Sequence, residues 1–353
     1  MKKFWIENKK IFLIFFVWRT GLLLIGFLAQ GLLPFKSSFP YADTILVLTG
    51  LPSWLWSWGN FDGVHYLTLA MSGYDGFGTQ VFFPLYPMLG HLISPFISLF
   101  LVSNVSILFS GILLFKLVKK HFNEDTANWA VIFLFAFPTS LFFGAIYTES
   151  LFLLLILAVF STTGILSAIF SILAGSTRLI GSFVGKFSFI GLGLYMLYLW
   201  WRFDKPLFFL SAQSAFGSRA TTVTGLVTPF QTVFRYFKIF LTVNPRSYDF
   251  WIAFAEISAF ILGITILIWL SLKKKCPRQW LIFSWIALIL PTLSGTFSSM
   301  PRYLITIFPI YIALALIKNK YLKLVILMIS VILLTIFTAL FTRGYFLADS
   351  GNL

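Results

Sequence analysis

The feature that most constrains this chain is a succession of long apolar runs separated by short clusters of lysine and arginine. A helix needs about 20 apolar residues to cross the hydrocarbon of a bilayer. Runs of that kind recur at 11–33, 97–118, 127–147, 150–170, 180–200, 250–272, 280–298, 303–317 and 321–342. With 59% hydrophobic and only 10% charged residues, a water-soluble core would leave too little polar surface to face water. The pattern predicts an all-α polytopic membrane protein of about nine transmembrane helices, within a range of 8–11, forming one domain over residues 1–353.

The net charge of +15 is consistent with this reading. The basic residues sit in clusters between apolar runs, which suits the positive-inside rule better than a nucleic-acid-binding face. With the lysines of Met1 to Lys10 in the cytoplasm and the first run retained as a span, Lys116, Lys119 and Lys120 fall on the inner side. So do the cluster Lys273 to Arg278 and Lys318, Lys320 and Lys323. The run at 82–97, broken by Pro84, Pro87 and Pro95, is then not counted as a crossing. Segments 34–96 and 201–249 fall on the outer side of a cytoplasmic membrane. Their aromatic residues, among them Trp54, Trp56, Trp58, Phe82, Phe83, Phe208 and Phe209, favour helices lying at the membrane interface.

The chain has 11 acidic residues, so each can be weighed. An acid near the hydrocarbon costs about 2.5–3.5 kcal/mol at a helix centre on insertion scales, and acids kept there face a cavity or a partner. Asp62, Glu149 and Asp249 lie on or near the outer side; Glu256 lies a short way into a span. A helix over 60–72 places Asp62, His65, Leu69 and Ser72 on one face. With Asn60 as its cap, Asp62 sits in the first turn, where the helix dipole favours an ionised carboxylate. An Asp beside a His on such a ledge can serve as a general base; the alternative is an acid that merely caps an interfacial helix.

Arg302 opens a span at the outer edge. It either grips phosphate with its planar donors or snorkels to the interface. Glu149, between two spans, either caps the next helix or takes part in chemistry. Arg178 falls near the inner end of its span. Cys276 has no partner for a disulfide or a zinc site, and His91 and His121 have no neighbours at metal-ligand spacing. No HExxH, P-loop or GxGxxG cradle appears, so neither a nucleotide site nor a catalytic zinc is expected, and no cofactor.

The stretch Asn60-Phe61-Asp62-Gly63-Val64-His65-Tyr66, through Gly73-Tyr74 to Phe82-Phe83-Pro84-Leu85-Tyr86-Pro87, resembles the signature of the PIG-V or GPI-mannosyltransferase-2 family, in prokaryotic-type form. Further pieces follow in the family's order: Tyr147-Thr148-Glu149-Ser150, Thr177-Arg178, Pro206-Leu207-Phe208-Phe209 with Ala212-Gln213, and Pro301-Arg302-Tyr303. Phe61 stands where the family usually has Trp.

The resemblance implies a GT-C-like glycosyltransferase. Such an enzyme takes a hexose, here mannose, from a polyprenyl-phosphate donor and passes it with inversion to a lipid or glycan acceptor hydroxyl at the outer face. It implies Asp62 as base, with His65, Arg302, Glu149, Gln213 and Tyr303 binding donor or acceptor. The rivals are a lipid-linked sugar flippase, marked by polar residues at the midplane of broken helices, and a non-catalytic assembly subunit of the same fold. The enzyme reading requires Asp62 and Arg302 to face one outer cavity within roughly a sugar phosphate's length; the flippase reading requires pseudo-symmetric halves around a central site.

Overall fold

A computed structural model describes residues 2–36, 42–76, 78–215 and 227–345. All regular structure among them is helical, and the fold is that of a polytopic membrane protein. The principal helices are α1 (Lys2–Leu32), α2 (Asp62–Ser72), α3 (Pro95–His121), α4 (Glu124–Ala136), α5 (Glu149–Ser161), α6 (Gly164–Gly175), α7 (Ser188–Phe203), α8 (Pro229–Thr242), α9 (Tyr248–Leu272), α10 (Arg278–Ile289), α11 (Pro309–Ala315) and α12 (Lys320–Thr342). Among the described residues four stretches are, by length and composition, long and apolar enough to cross a membrane: Glu7–Leu32, Pro95–His121, Tyr248–Leu272 and Lys320–Thr342.

The ends of these helices are written in the sequence. Pro95 opens α3 at a position that needs no N–H. Lys119, Lys120 and His121 close it, where cations favour the helix C-terminus. Asn123 then caps α4 by accepting from Thr126 N at 2.8 Å, with Glu124 and Asp125 in the first turn. The hydrogen bond from Lys119, then its charge and that of Lys10, hold the Glu124 carboxyl below its usual range. At the same end the His121 ring meets Trp280 at 4.7 Å, and Lys323 Nζ lies 4.7 Å over Trp129. The basic clusters of four separate segments therefore gather at one end of the bundle.

Inside, α3 turns Ser103, Ser106, Ser110 and Gly111 inward and packs along α5. Small residues let backbones approach closely where lipid gives no hydrophobic drive between helices. Along the middle of α1 and α12 the outward-facing side chains are mostly apolar, among them Phe16, Val17, Leu24, Ile329 and Ile332.

Several expected spans are interrupted. The run at 127–147 stops at Ala136, before Pro138, and continues as a buried connector ending in the single turn Leu141–Gly144. The run at 150–170 is two helices: α5 ends at Ser161, and Gly164, with φ +63°, starts α6 back alongside α5. At 1.5 Å per residue each arm reaches only about 20 Å. Residues 82–94 form short turns, not a spanning helix. Of the expected outer segments, 34–96 and 201–249, residues 37–41, 77 and 216–226 lie outside the described residues.

The hairpin overturns one expectation. Arg178, placed on the inner side when 150–170 counts as one crossing, returns to the level of Glu149. Gly175 and Gly191 make this possible by letting α6 and α7 touch backbone to backbone. A Cβ on Gly175 would strike the Ser188 carbonyl.

Candidate active site

Four charged side chains from four distant segments converge. Arg302, in the turn Met300–Tyr303, donates through Nη1 to Asp62 Oδ2 at the start of α2. Its Nε lies 3.4 Å from Glu149 Oε1, at the start of α5. Arg178, just past α6, donates from Nη1 to the same Glu149 oxygen at 2.9 Å. The Glu149 side chain is 1% exposed and Asp62 21%, so the cluster grades from a closed interior to an open edge. Two carboxylates face two guanidinium groups, and the formal charges balance, as buried charge requires.

Aromatic rings frame the cluster. Tyr303 stacks between the arginines, its ring 5.2 Å from Arg178 Cζ and 5.4 Å from Arg302 Cζ. Tyr147 lies 5.2 Å from Arg302, donates to Asn60 O at 3.2 Å and accepts from Asp62 N at 3.3 Å. Ser103 donates to Tyr147 O at 3.2 Å, which fixes the depth of the site along α3. From Ser103 the helix runs on to His121, roughly 27 Å at 1.5 Å per residue. The charged cluster and the gathered basic clusters therefore occupy opposite ends of the bundle.

Both partners of the Asp62–Arg302 pair follow a residue in the left-handed region. Phe61 has φ +59° and Ser299 φ +66°. Such conformations cost roughly 1–3 kcal/mol each and persist only where the surroundings enforce them. Phe61 is buried against Phe341, with ring centroids 5.6 Å apart. It also takes the helix-capping position expected for Asn60. Asn60 does not cap α2, because its amide reaches Phe341 O at 2.9 Å instead.

His65 stacks on Phe82 at 5.1 Å, one turn along α2 from Asp62. Burial pushes its imidazole below the ordinary value, opposed in part by the charge of Asp62. Gln213 takes no part in the ion pairs; it sits in the turn Ala212–Ala215, packed on Thr79–Val81. Sequence reasoning missed Arg178 as a member of this cluster. The signal was present: Thr162-Thr163-Gly164 is a turn sequence, and reading it as a hairpin returns Arg178 to Glu149. Among the described residues no group of three or more His, Cys, Asp or Glu side chains could hold a metal ion.

Fold and site together describe a helical membrane protein with a charged cluster, partly open at Asp62, built by segments spread along the chain. The chain is similar to GPI mannosyltransferase 2 of Drosophila pseudoobscura pseudoobscura, 30% identical over 132 residues. The match covers 32% of this chain and 28% of that relative, so less than a third of the curated relative is spanned. The likeness supports the resemblance to the GPI-mannosyltransferase-2 family carried by the motifs. No family model matches the chain, and no solved structure does.

Proposed function

We propose that the chain is a membrane-embedded, multi-pass, inverting glycosyltransferase of GT-C-like architecture in which the run at 150–170 is a re-entrant hairpin and not a crossing. It moves a hexose, mannose by the likeness, from a polyprenyl-phosphate donor to a hydroxyl of a lipid or glycan acceptor. The observation that carries this reading is the Asp62–Arg302 pair, in which the cluster's more exposed carboxylate is held by a guanidinium. The gathering of the basic clusters at the other end supports an N-terminus in the cytoplasm and chemistry on the outer face.

In the mechanism, Arg302 is the exchangeable partner. A guanidinium binds phosphate oxygens with geometry as good as it offers a carboxylate. A donor phosphate that takes up Arg302, with Arg178 beside it, frees Asp62 from its ion pair. Asp62 then accepts the acceptor's proton as that oxygen attacks the anomeric carbon and the bond to the phosphate oxygen breaks. The negative charge left on the lipid phosphate is stabilised by the arginines. Glu149 keeps the two arginines apart and aimed, and Tyr303 holds their planes. His65, neutral at physiological pH, orients Asp62 or hydrogen-bonds a sugar hydroxyl. Gln213 is assigned to acceptor or sugar hydroxyls on the strength of the motif resemblance alone.

The test is transfer in vitro by the purified chain in lipid, with polyprenyl-phosphate mannose against polyprenyl-phosphate glucose, for wild type and Asp62→Asn. Transfer from one donor that vanishes in the variant is expected. Equal transfer by both proteins removes Asp62 from the mechanism, and no transfer from either donor removes the proposed donor class.

A further inference from the structure

Arg302 stands in a loop whose other anchor lies away from the charged cluster. Glu256, three residues from the middle of the second turn of α9, is fully buried. It accepts from the Tyr236 hydroxyl at 2.5 Å and from Ser299 N at 3.3 Å. Tyr236 in turn accepts from Phe297 N at 3.0 Å. Arg302 N donates to Ser299 O at 2.9 Å, so Ser299 is both the residue Glu256 holds and the N-terminal anchor of the turn that carries Arg302. Its left-handed backbone needs such an anchor. On the opposite side Thr139 donates to Pro301 O at 2.7 Å.

Tyr236 belongs to α8, which is strongly two-faced. Phe230, Phe234, Phe237 and Leu241 are 62–86% exposed along one side. Thr232 and Tyr236, one turn apart, are buried on the other. That buried side is fastened to the same loop: Thr232 Oγ1 donates to Thr292 O at 2.9 Å, and Arg235 Nη1 to Gly295 O at 2.8 Å. Helix, carboxylate and loop form one connected unit.

We infer that Glu256 and Tyr236 are positioning residues that set Arg302 against Asp62 and Glu149 by fixing the backbone of Phe297–Ser299 to α8 and α9. This rests on the glycosyltransferase reading only for its effect on turnover; the mechanical link stands on hydrogen bonds alone. A buried carboxylate accepting a backbone N–H and a phenol is a costly arrangement unless both donors stay in place. The pair therefore allows the loop one arrangement. A guanidinium displaced by about 1 Å from a developing phosphate charge is enough to lower turnover by up to 10²-fold.

The experiment uses the full chain in lipid nanodiscs with Tyr236→Phe and Glu256→Gln. Amide hydrogen exchange, which needs no substrate, should rise in 292–303 and stay unchanged in α3, α5 and α12. Transfer from the polyprenyl-phosphate sugar should fall roughly 10- to 100-fold through kcat. In an Arg302→Lys background the same substitutions should add little further loss, because their effect passes through Arg302. Unchanged exchange at 292–303 overturns the inference, as does a rise spread over the whole chain in both variants, which would make the pair a support of the fold. Local exchange that rises while turnover stays at the wild-type level also overturns it. If wild type transfers no sugar while exchange still rises locally, the link stands and the glycosyltransferase reading fails.

Discussion

Arg302 and Asp62 stand 240 positions apart and meet guanidinium to carboxylate. The pair joins the first of the family-like motifs to the last. If Asp62 is the base, Asp62→Asn keeps the shape and a hydrogen-bond acceptor but cannot take a proton. Turnover should fall by about 10²–10⁴-fold, the usual contribution of a positioned base. Thermal stability in detergent should change far less, because Asp62 lies at the open edge of the cluster. A variant that loses fold and activity together would speak for a structural role.

Glu149 is the shared anion of two arginines, so its removal should be worse for stability than that of Asp62. Glu149→Gln leaves Arg178 and Arg302 facing each other without their common partner. Breaking a buried pair in this way costs about 3–5 kcal/mol. Adding Arg178→Met should recover part of that loss. Strictly additive thermal midpoints across the four proteins of this cycle would show that the residues do not act as a unit.

His65 gives a pH dependence with a definite sign. Its folded-state pKa lies below the ordinary value of 6.5, so the unfolded chain takes up a proton that the folded chain resists. This contribution is flat above about pH 6.5, and stability falls as pH drops below that, by up to about 1.36 kcal/mol per pH unit until the folded-state value is reached. Thermal midpoints of wild type and His65→Gln, compared from pH 7.5 to 5.5, should diverge on the acid side, with wild type losing more. Parallel curves would contradict the burial of the ring.

Cys276 lies in the loop after α9, is buried, and burial pushes its thiol up to about 12. The thiolate is the reactive form. A maleimide at pH 7 should modify the folded chain slowly and the denatured chain fast. Equal rates, followed by mass, would place the cysteine at the surface.

Much of the architecture was readable because lipid imposes strong rules on sequence. The four long helices stand out by hydropathy alone, and the basic clusters mark a shared end. The face shared by Asp62 and His65 also follows from spacing, since α2 is regular. The break at Thr162-Thr163-Gly164 was not read, because its apolar flanks average over the turn and imitate one span. That single misreading moved Arg178 to the wrong end. The capping of α2 was misjudged for another reason: Asn60 is drawn away by Phe341 O, a partner 281 positions distant that no local rule can see. The place of Glu256 was hidden likewise, since its partner Tyr236 approaches from a separate helix.

The hairpin of α5 and α6 also sets a rule of length. Glu149 and Arg178 meet only because the two arms run out and back by matched amounts. One residue added within either arm turns everything beyond it by about 100° and carries Arg178 off its carboxylate. At the exposed tip around Thr163 and Gly164 the same addition merely enlarges a bend. Among descendants of this chain, gaps should therefore be free to accumulate at that tip and be forbidden on either side of it.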